Sequence, residues 1–304
     1  QYPIGTPKIK EIDFNYVQSP ATRLLDLKEG RATGIAVAKA DIFSVIDRNE
    51  WLVNGTFKSL IPGVTIHGPY SQPTNIWFNF ITNVTNNDGT LKTFQPMADR
   101  RIRLAIASAV NLTDININVN SRLGQVANNL IPPGTAPEGA YNSGITPPWS
   151  FNLTKAAELL VDAMKHPITS FTYYNGTPIP PGVINNSIGD TDNDGMAEIS
   201  YTIEMYVPSA DITHRTILTT IATNLNKTAA NVAQGGNATG LYFTVVPVTS
   251  GQQFNLASRH RIYMYWGGWV ADYNHVLDWL PSMYMSTGTY SLWNQMSYAV
   301  LDEY

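Results

Sequence analysis

Cysteine is absent from the 304 residues of this chain, and charged residues are scarce at 14%. The lack of cysteine excludes disulfides, thiolate metal sites and a cysteine nucleophile. There are 19 lysine and arginine residues against 23 acidic ones, which gives a formal charge of −4. Nucleic acids and anionic membranes require clustered basic residues that displace counterions. The charge balance gives no sign of either partner.

Long apolar runs and common enzymatic motifs are also missing. No uninterrupted apolar segment approaches the roughly 20 residues that span a bilayer. The sequence lacks a GxSxG elbow, an HExxH pair and a phosphate-binding glycine loop, and its five histidines are scattered. The chain is therefore not expected to be an enzyme, and a hydrolase is the least favoured function. Because Gln1 is not an initiator methionine, the chain is expected to be processed or excised.

Asparagine and threonine are abundant, and they produce several Asn-X-Ser/Thr triplets. Each triplet is a potential glycan acceptor in an exported protein, although a chain of this composition also generates such triplets by chance. The surface composition favours an extracellular glycoprotein over a cytoplasmic protein. The acceptor asparagines are Asn54, Asn83, Asn111, Asn152, Asn175, Asn185, Asn226 and Asn237.

Hydrophobic periodicity predicts strands alternating with helices. An irregular excursion, dense in proline and glycine, is predicted at 128–149. The order of elements predicts an α/β layered fold, and the chain length fits one large domain or two modest ones. Strands are predicted at 11–17, 74–82, 198–207, 241–248 and 261–266, and amphipathic helices at 98–112, 153–164 and 214–225.

The segment DTDNDGMAE, residues 190–198, resembles the first half of a calcium loop. Alternating carboxylates followed by a glycine turn can converge on one hard cation. The segment has no glutamate at the twelfth position of such a loop, so a solvated turn before a strand is an equally good interpretation. The expected ligands of a structural Ca²⁺ are Asp190, Asp192, Asp194, Met196 through its carbonyl, and Glu198.

A second candidate site is the segment WGGWVADYNH, residues 266–275. Asp272 lies among aromatic residues, and a carboxylate with π faces around it suits recognition of a cation. The alternative is a core strand that exits into a turn, with Asp272 capping the next helix. The candidate ligand-binding residues are Asp272, Trp269, Trp266, Tyr273 and His275.

Several stretches together resemble the family 5 extracellular solute-binding proteins of ABC importers, the oligopeptide, dipeptide and nickel binders. Their order and spacing carry the resemblance over most of the chain, from about residue 8 to 304. The stretches are DRRIRLAIASAVN at 99–111, LIPPGT at 130–135, KAAELLVDAM at 155–164, DTDNDG at 190–195, GWVADYN at 268–274, and the later Asn294.

The resemblance implies a type II periplasmic-binding-protein fold, in which two α/β lobes close on a ligand. Residues 1–304 would form essentially the second lobe, with a mixed sheet flanked by helices and the excursion at 128–149 on its surface. It also implies an extracellular, membrane-tethered, monomeric protein that delivers its solute to an ABC permease.

In peptide-binding members, the aspartate of a WxADYN-like segment pairs with the α-amino group of the bound peptide. That aspartate matches Asp272, and the preceding tryptophan matches Trp269. The chain departs just afterwards, because His275 and Val276 stand where the family often has an acidic residue and proline. Oligopeptides are the expected solute. Oligosaccharides, which stack on aromatic side chains, and a calcium-stapled cell-surface scaffold without a small ligand are the alternatives.

Overall fold

The computed structural model describes residues 9–37, 39–67, 74–85, 89–90, 92–124, 126, 131–147, 149–169, 197, 200–229 and 239–294. The chain divides into two compact units, residues 1–69 and residues 70–304. Whether both units belong to the second lobe of a two-lobed protein stays a prediction.

The first unit is helical around a small apolar cluster. Helix α1 spans Pro20–Lys28 and helix α2 spans Arg48–Asn54, with a 3₁₀ turn at Lys39–Ser44 between them. Asp47 caps α2 by accepting hydrogen bonds from two backbone N–H groups, and Gly55 ends it with φ 69°. The buried members of the cluster are Val45, Ile46 and Ile61.

The strand predicted at 11–17 is wrong. No strand is assigned to residues 9–19, and Ile12, Phe14 and Tyr16 are 64%, 92% and 92% exposed. Alternation of apolar and polar residues is only half of the requirement for a strand, because the backbone also needs a neighbouring strand for its hydrogen bonds.

The second unit contains a four-stranded mixed sheet with the order β1-β4-β2-β3. Strand β1 pairs antiparallel with β4, whereas β2 pairs in parallel with both β3 and β4. The mixed α/β fold class is therefore confirmed, and four of the five predicted strands exist. Their bounds are Thr74–Phe78 for β1, Tyr201–Pro208 for β2, Leu241–Val248 for β3 and Met264–Gly268 for β4.

Helices occupy both faces of this sheet. The three predicted amphipathic helices exist as α3, α5 and α6. A 3₁₀ turn lies at Pro96–Ala98 and a π turn at Ile115–Val119. The helices are α3 Arg100–Ser108, α4 Leu112–Asp114, α5 Leu153–Lys165, α6 Ile212–Ala229, α7 Ser250–Ser258, α8 Val276–Met283 and α9 Thr289–Asn294.

One face of the sheet packs on α3, α5 and α6 through what we call the aliphatic cluster. The apolar periodicity of the helix predicted at 214–225 places Ile217, Leu218, Ile221 and Leu225 inward, and this is confirmed because all four are buried in α6. Strand β2 contributes its alternating buried side chains to the same cluster, as a half-buried strand should. Central members are Ile102, Ala105, Ile106, Leu160, Ile203, Met205, Ile217, Leu218, Ile221, Leu225 and Met264.

Arg101, the second of the two arginines that begin α3, has a structural role. Its guanidinium donates to both carboxylate oxygens of Asp99, the N-cap of α3, and to the carboxylate of Asp162 on α5 at 3.0 Å. These hydrogen bonds raise the pKa of Arg101 and lower that of Asp162. The motif therefore ties α3 to α5.

The opposite face of the sheet carries what we call the aromatic cluster. It is closed by α7, α8 and α9, and tryptophan and tyrosine rings make up most of its volume. Its buried members are Trp77, Ile131, Ala257, Ile262, Tyr265, Trp279, Met283, Tyr284 and Tyr290, with Trp269 and Trp293 half-buried against them.

Candidate functional site

Aromatic rings fix the end of β4, from which the loop to α8 departs. Trp77 stacks on Tyr290 with ring centroids 4.6 Å apart, and Trp269 meets Tyr290 edge-on at 6.4 Å. Gly267 permits this approach, because a Cβ there would lie 2.9 Å from Cδ1 of Trp77. The Tyr290 hydroxyl donates to the carbonyl of Gly268 at 2.8 Å, and burial raises the pKa of Tyr290.

The carboxylate that is enclosed among these aromatic residues belongs to Asp278. Asp278 lies in the first turn of α8 and is 6% exposed. Its Oδ2 atom accepts one hydrogen bond from Nε1 of Trp269 at 2.8 Å and another from the backbone N–H of Asp272 at 3.1 Å. Sequence reasoning missed this residue, although an acid inside the apolar run VLDWL was a usable signal.

Asp272 itself is exposed. No described residue forms a hydrogen bond or an ion pair with its carboxylate, so its charge is open to solvent. Its neighbours Val270 and Tyr273 are also exposed, at 65% and 54%. Of the aromatic residues predicted around Asp272, the structure links Trp269 to it, through the shared oxygen of Asp278.

Trp266 lies in the aliphatic cluster, on the opposite face of the sheet from Trp269. Its ring stacks on the imidazole of His214 at 4.0 Å, and His214 also pairs with Asp211. The carbonyl of Trp266 accepts a hydrogen bond from the buried side chain of Gln253. The structure therefore does not bring Trp266 into the aromatic surroundings of Trp269.

His275 ends the loop and caps α8. Its Nδ1 atom accepts a hydrogen bond from the N–H of Leu277 at 3.1 Å. The alternative in which Asp272 caps this helix is therefore wrong. A role of His275 in ligand binding stays a prediction.

The proline-rich excursion supports the same loop. Over the described residues 131–147 it has no regular helix or strand, as predicted. The carbonyl of Ala136 accepts from the N–H of Val276 at 2.7 Å, and the carbonyl of Gly134 accepts from the side chain of Asn274 at 3.0 Å. The sequence predicted the irregular segment but not its contact with the candidate site.

The predicted calcium ligands Asp190, Asp192, Asp194, Met196 and Glu198 lie outside the described residues, so the calcium site stays a prediction. Among the residues that are described, no group of three or more metal-ligand side chains occurs.

The glycan acceptors are in different environments. Asn175, Asn185 and Asn237 lie outside the described residues. The amide of Asn226 bonds to both backbone groups of Phe243 on the edge strand β3, at 2.8 and 2.9 Å. Asn226 is thereby used to cover a sheet edge.

The sequence profile of the bacterial extracellular solute-binding proteins, family 5 (Middle), matches residues 1–291. The chain belongs to this family. The family consists of solute-binding proteins rather than enzymes, and its members are extracellular or periplasmic. The resemblance noted in the sequence is thus confirmed. No curated protein matches the sequence significantly.

Solved structures of family 5 solute-binding proteins show the same fold at low identity. HbpA2 from Haemophilus parasuis aligns with a TM-score of 0.57 and 16% identity, over 95% of this chain and 45% of that one. The unliganded open form of the murein tripeptide-binding protein MppA aligns with a TM-score of 0.56 and 15% identity, over 94% of this chain and 44% of MppA. DppA from Helicobacter pylori in complex with the peptide STSA aligns with a TM-score of 0.50 and 16% identity, over 94% of this chain and 43% of DppA.

The family 5 chain described here therefore spans less than half the length of these three structures. In the described part of the chain, no helix has the length and apolar character that crossing a membrane demands.

Proposed function

We propose that this chain is part of the solute-binding component of an ABC importer for oligopeptides, and that Asp272 binds the α-amino group of the peptide. The observation that carries the proposal is the exposed Asp272 carboxylate, which has no partner among the described residues. An ammonium group is a suitable partner for such a charge. Among the similar structures, MppA is named a murein tripeptide-binding protein and DppA is in complex with a peptide.

The proposed wall of the site consists of Trp269 and Tyr273. Trp269 is half-buried and Tyr273 is 54% exposed, so both rings offer surface to a ligand. Trp266 is left out of the wall because its ring stacks on His214 in the aliphatic cluster. Apolar rings beside the carboxylate exclude water, and this strengthens the attraction between the two charges.

Lobe closure is expected to strengthen the ion pair between Asp272 and the peptide α-amino group. An exposed ion pair contributes only about 0–1 kcal/mol, whereas removing one partner of a desolvated pair costs about 2–5 kcal/mol. Hinge closure over the peptide supplies that desolvation. Main-chain hydrogen bonds to the peptide would complete recognition, because they do not depend on peptide side chains.

Calorimetry on the full-length protein tests the proposal. Asp272→Asn is expected to weaken binding of tri- to hexapeptides about 10- to 100-fold, which corresponds to about 1.4–2.8 kcal/mol. Acetylating the peptide α-amino group should cost the wild type a similar factor and the Asp272→Asn protein almost nothing, because each change removes the same ion pair. Asp13→Asn, the same change at an exposed carboxylate of the first unit, is the control.

An Asp272→Asn protein with wild-type affinity would remove the salt bridge from the proposal. Heat released with cello- or xylo-oligomers and none with peptides would instead establish an oligosaccharide binder. The ABC permease, the membrane tether, the monomeric state and the structural Ca²⁺ belong to the same proposal for the full-length protein.

A further inference from the structure

We infer that Asp278 is the positioning residue of the peptide-amine site, holding Asp272 and Trp269 in place before the ligand arrives. The inference rests on the proposed function for what the site binds. It rests on the geometry of Asp278 for how the site is held. One oxygen, Oδ2 of Asp278, accepts from the Trp269 indole at 2.8 Å and from the Asp272 backbone at 3.1 Å.

Burying the carboxylate of Asp278 costs free energy. It is 6% exposed and forms no ion pair with a described basic residue. A buried carboxylate loses hydration that only hydrogen bonds and nearby positive charge can replace. Its position in the first turn of α8 supplies part of this compensation through the helix dipole. The indole N–H of Trp269 and the backbone N–H of Asp272 supply further compensation by donating hydrogen bonds to the carboxylate.

The two hydrogen bonds leave the binding groups free while restricting their motion. Asp272 is held by its backbone N–H, so its own carboxylate remains exposed. Trp269 is held by its indole N–H at the ring edge, so the faces of the ring are not used by this bond. Both groups donate to a single oxygen, which restricts the distance between the Asp272 backbone and the edge of the Trp269 ring.

The atom that holds them is itself well anchored. The residue next to Asp278, Trp279, is 1% exposed in the aromatic cluster, and α8 begins at the His275 cap. The loop therefore loses little conformational freedom when a peptide binds, and a preorganised site retains more of its interaction energy as affinity.

The first test needs no ligand. In unliganded, full-length protein uniformly labelled with ¹⁵N, hydrogen exchange of the Trp269 indole and of the Asp272 amide is measured by NMR, with Trp269→Phe to assign the indole signal. Both groups should exchange at least about 10-fold more slowly than unbonded surface N–H groups. Asp278→Asn keeps an oxygen acceptor and should preserve this protection, whereas Asp278→Leu should abolish it at both positions.

The second test uses calorimetry with the same peptides. Asp278→Leu should weaken binding about 10-fold and Asp278→Asn less than about 3-fold, since the geometry rather than the charge is required. Unprotected N–H groups in the wild type, or full protection in Asp278→Leu, would overturn the positioning role. Should the leucine variant fail to fold, the wild-type exchange rates and the asparagine variant decide the question. A wild type with protected groups that binds no peptide would contradict the proposed function alone.

Discussion

The two faces of the sheet in the second unit are packed by different chemistry. On the side of α3, α5 and α6, aliphatic side chains from regular helices interlock, and no described member of that cluster buries an unpaired side-chain polar atom. On the other side, rings dominate, and the buried N–H groups of Trp77, Trp279 and Asn294 have no hydrogen-bond partner within the part of the chain that the structure describes. The loop with Asp272 and the buried Asp278 belong to this second side.

This difference separates the face that provides packing stability from the face that carries the proposed binding site. A periodic aliphatic face satisfies every local rule of helix and strand packing, and its residues need nothing beyond volume and shape. The aromatic face accepts unpaired donors and a buried acid, which cost free energy. Such departures from local rules are expected where a protein builds a binding site.

The largest effect is expected from truncating the aliphatic face. Leu218 is fully buried on α6, and Leu218→Ala should lower the free energy of unfolding by about 2–5 kcal/mol through lost burial and an added cavity. Urea denaturation measures this, and peptide affinity measured under folding conditions should stay unchanged. The neighbouring surface change Thr219→Ala should stay within about 0.5 kcal/mol. A loss below 1 kcal/mol at Leu218 would contradict the tight packing of this face.

An intermediate effect is expected on the aromatic face at Gly267. A Cβ at this position would meet Trp77 at 2.9 Å and Tyr290 at 3.4 Å, so Gly267→Ala should destabilise the protein by about 1–3 kcal/mol through overpacking. Gly251 in α7 has open space around it, and Gly251→Ala should instead stabilise by up to about 1 kcal/mol. Thermal or urea unfolding measures both changes. Equal changes in unfolding free energy for Gly267→Ala and Gly251→Ala would contradict the close packing around Gly267.

Alkaline pH should weaken the aliphatic face through Tyr263. Burial, aided by the charges of Glu204 and Tyr201, raises the pKa of Tyr263 from 10.0 to about 12. Below pH 10 both the folded and unfolded states keep this proton, but between pH 10 and 12 the unfolded state releases it first. The free energy of unfolding should therefore fall by up to about 1.4 kcal/mol per pH unit.

The variant Tyr263→Phe isolates this contribution. Its unfolding free energy should decline less steeply between pH 10 and 12, by the equivalent of about one proton. Urea denaturation across this range measures the slope, and identical slopes for the two proteins would remove Tyr263 from the alkaline response.

The smallest effect on stability is expected at Asp272. Because its carboxylate is exposed and has no described partner, Asp272→Asn should change the free energy of unfolding by less than about 0.5 kcal/mol. The same change is expected to reduce peptide affinity strongly. A large destabilisation would show that the carboxylate has a structural partner, and the contrast between stability and function would then fail at its central residue.

Sequence patterns performed unequally across these regions. The stripe on α6 and the alternation in β2 predicted the aliphatic face correctly, because a side chain's face follows from 3.6-residue or two-residue periodicity. The same alternation at 11–17 predicted a strand that does not form, since periodicity carries no information about a pairing partner. For the candidate site, the sequence located the loop and Asp272 but overlooked Asp278.

What the sequence by itself determined is the set of elements that bury their own apolar stripes, together with a family resemblance carried by short motifs. Tertiary structure decided the rest. It enclosed Trp266 in the aliphatic cluster against His214, and it joined Trp269 and Asp272 through one oxygen of Asp278. The physical reason is that a hydrogen bond depends on atoms brought within about 3 Å by packing, and local sequence periodicity does not encode that distance.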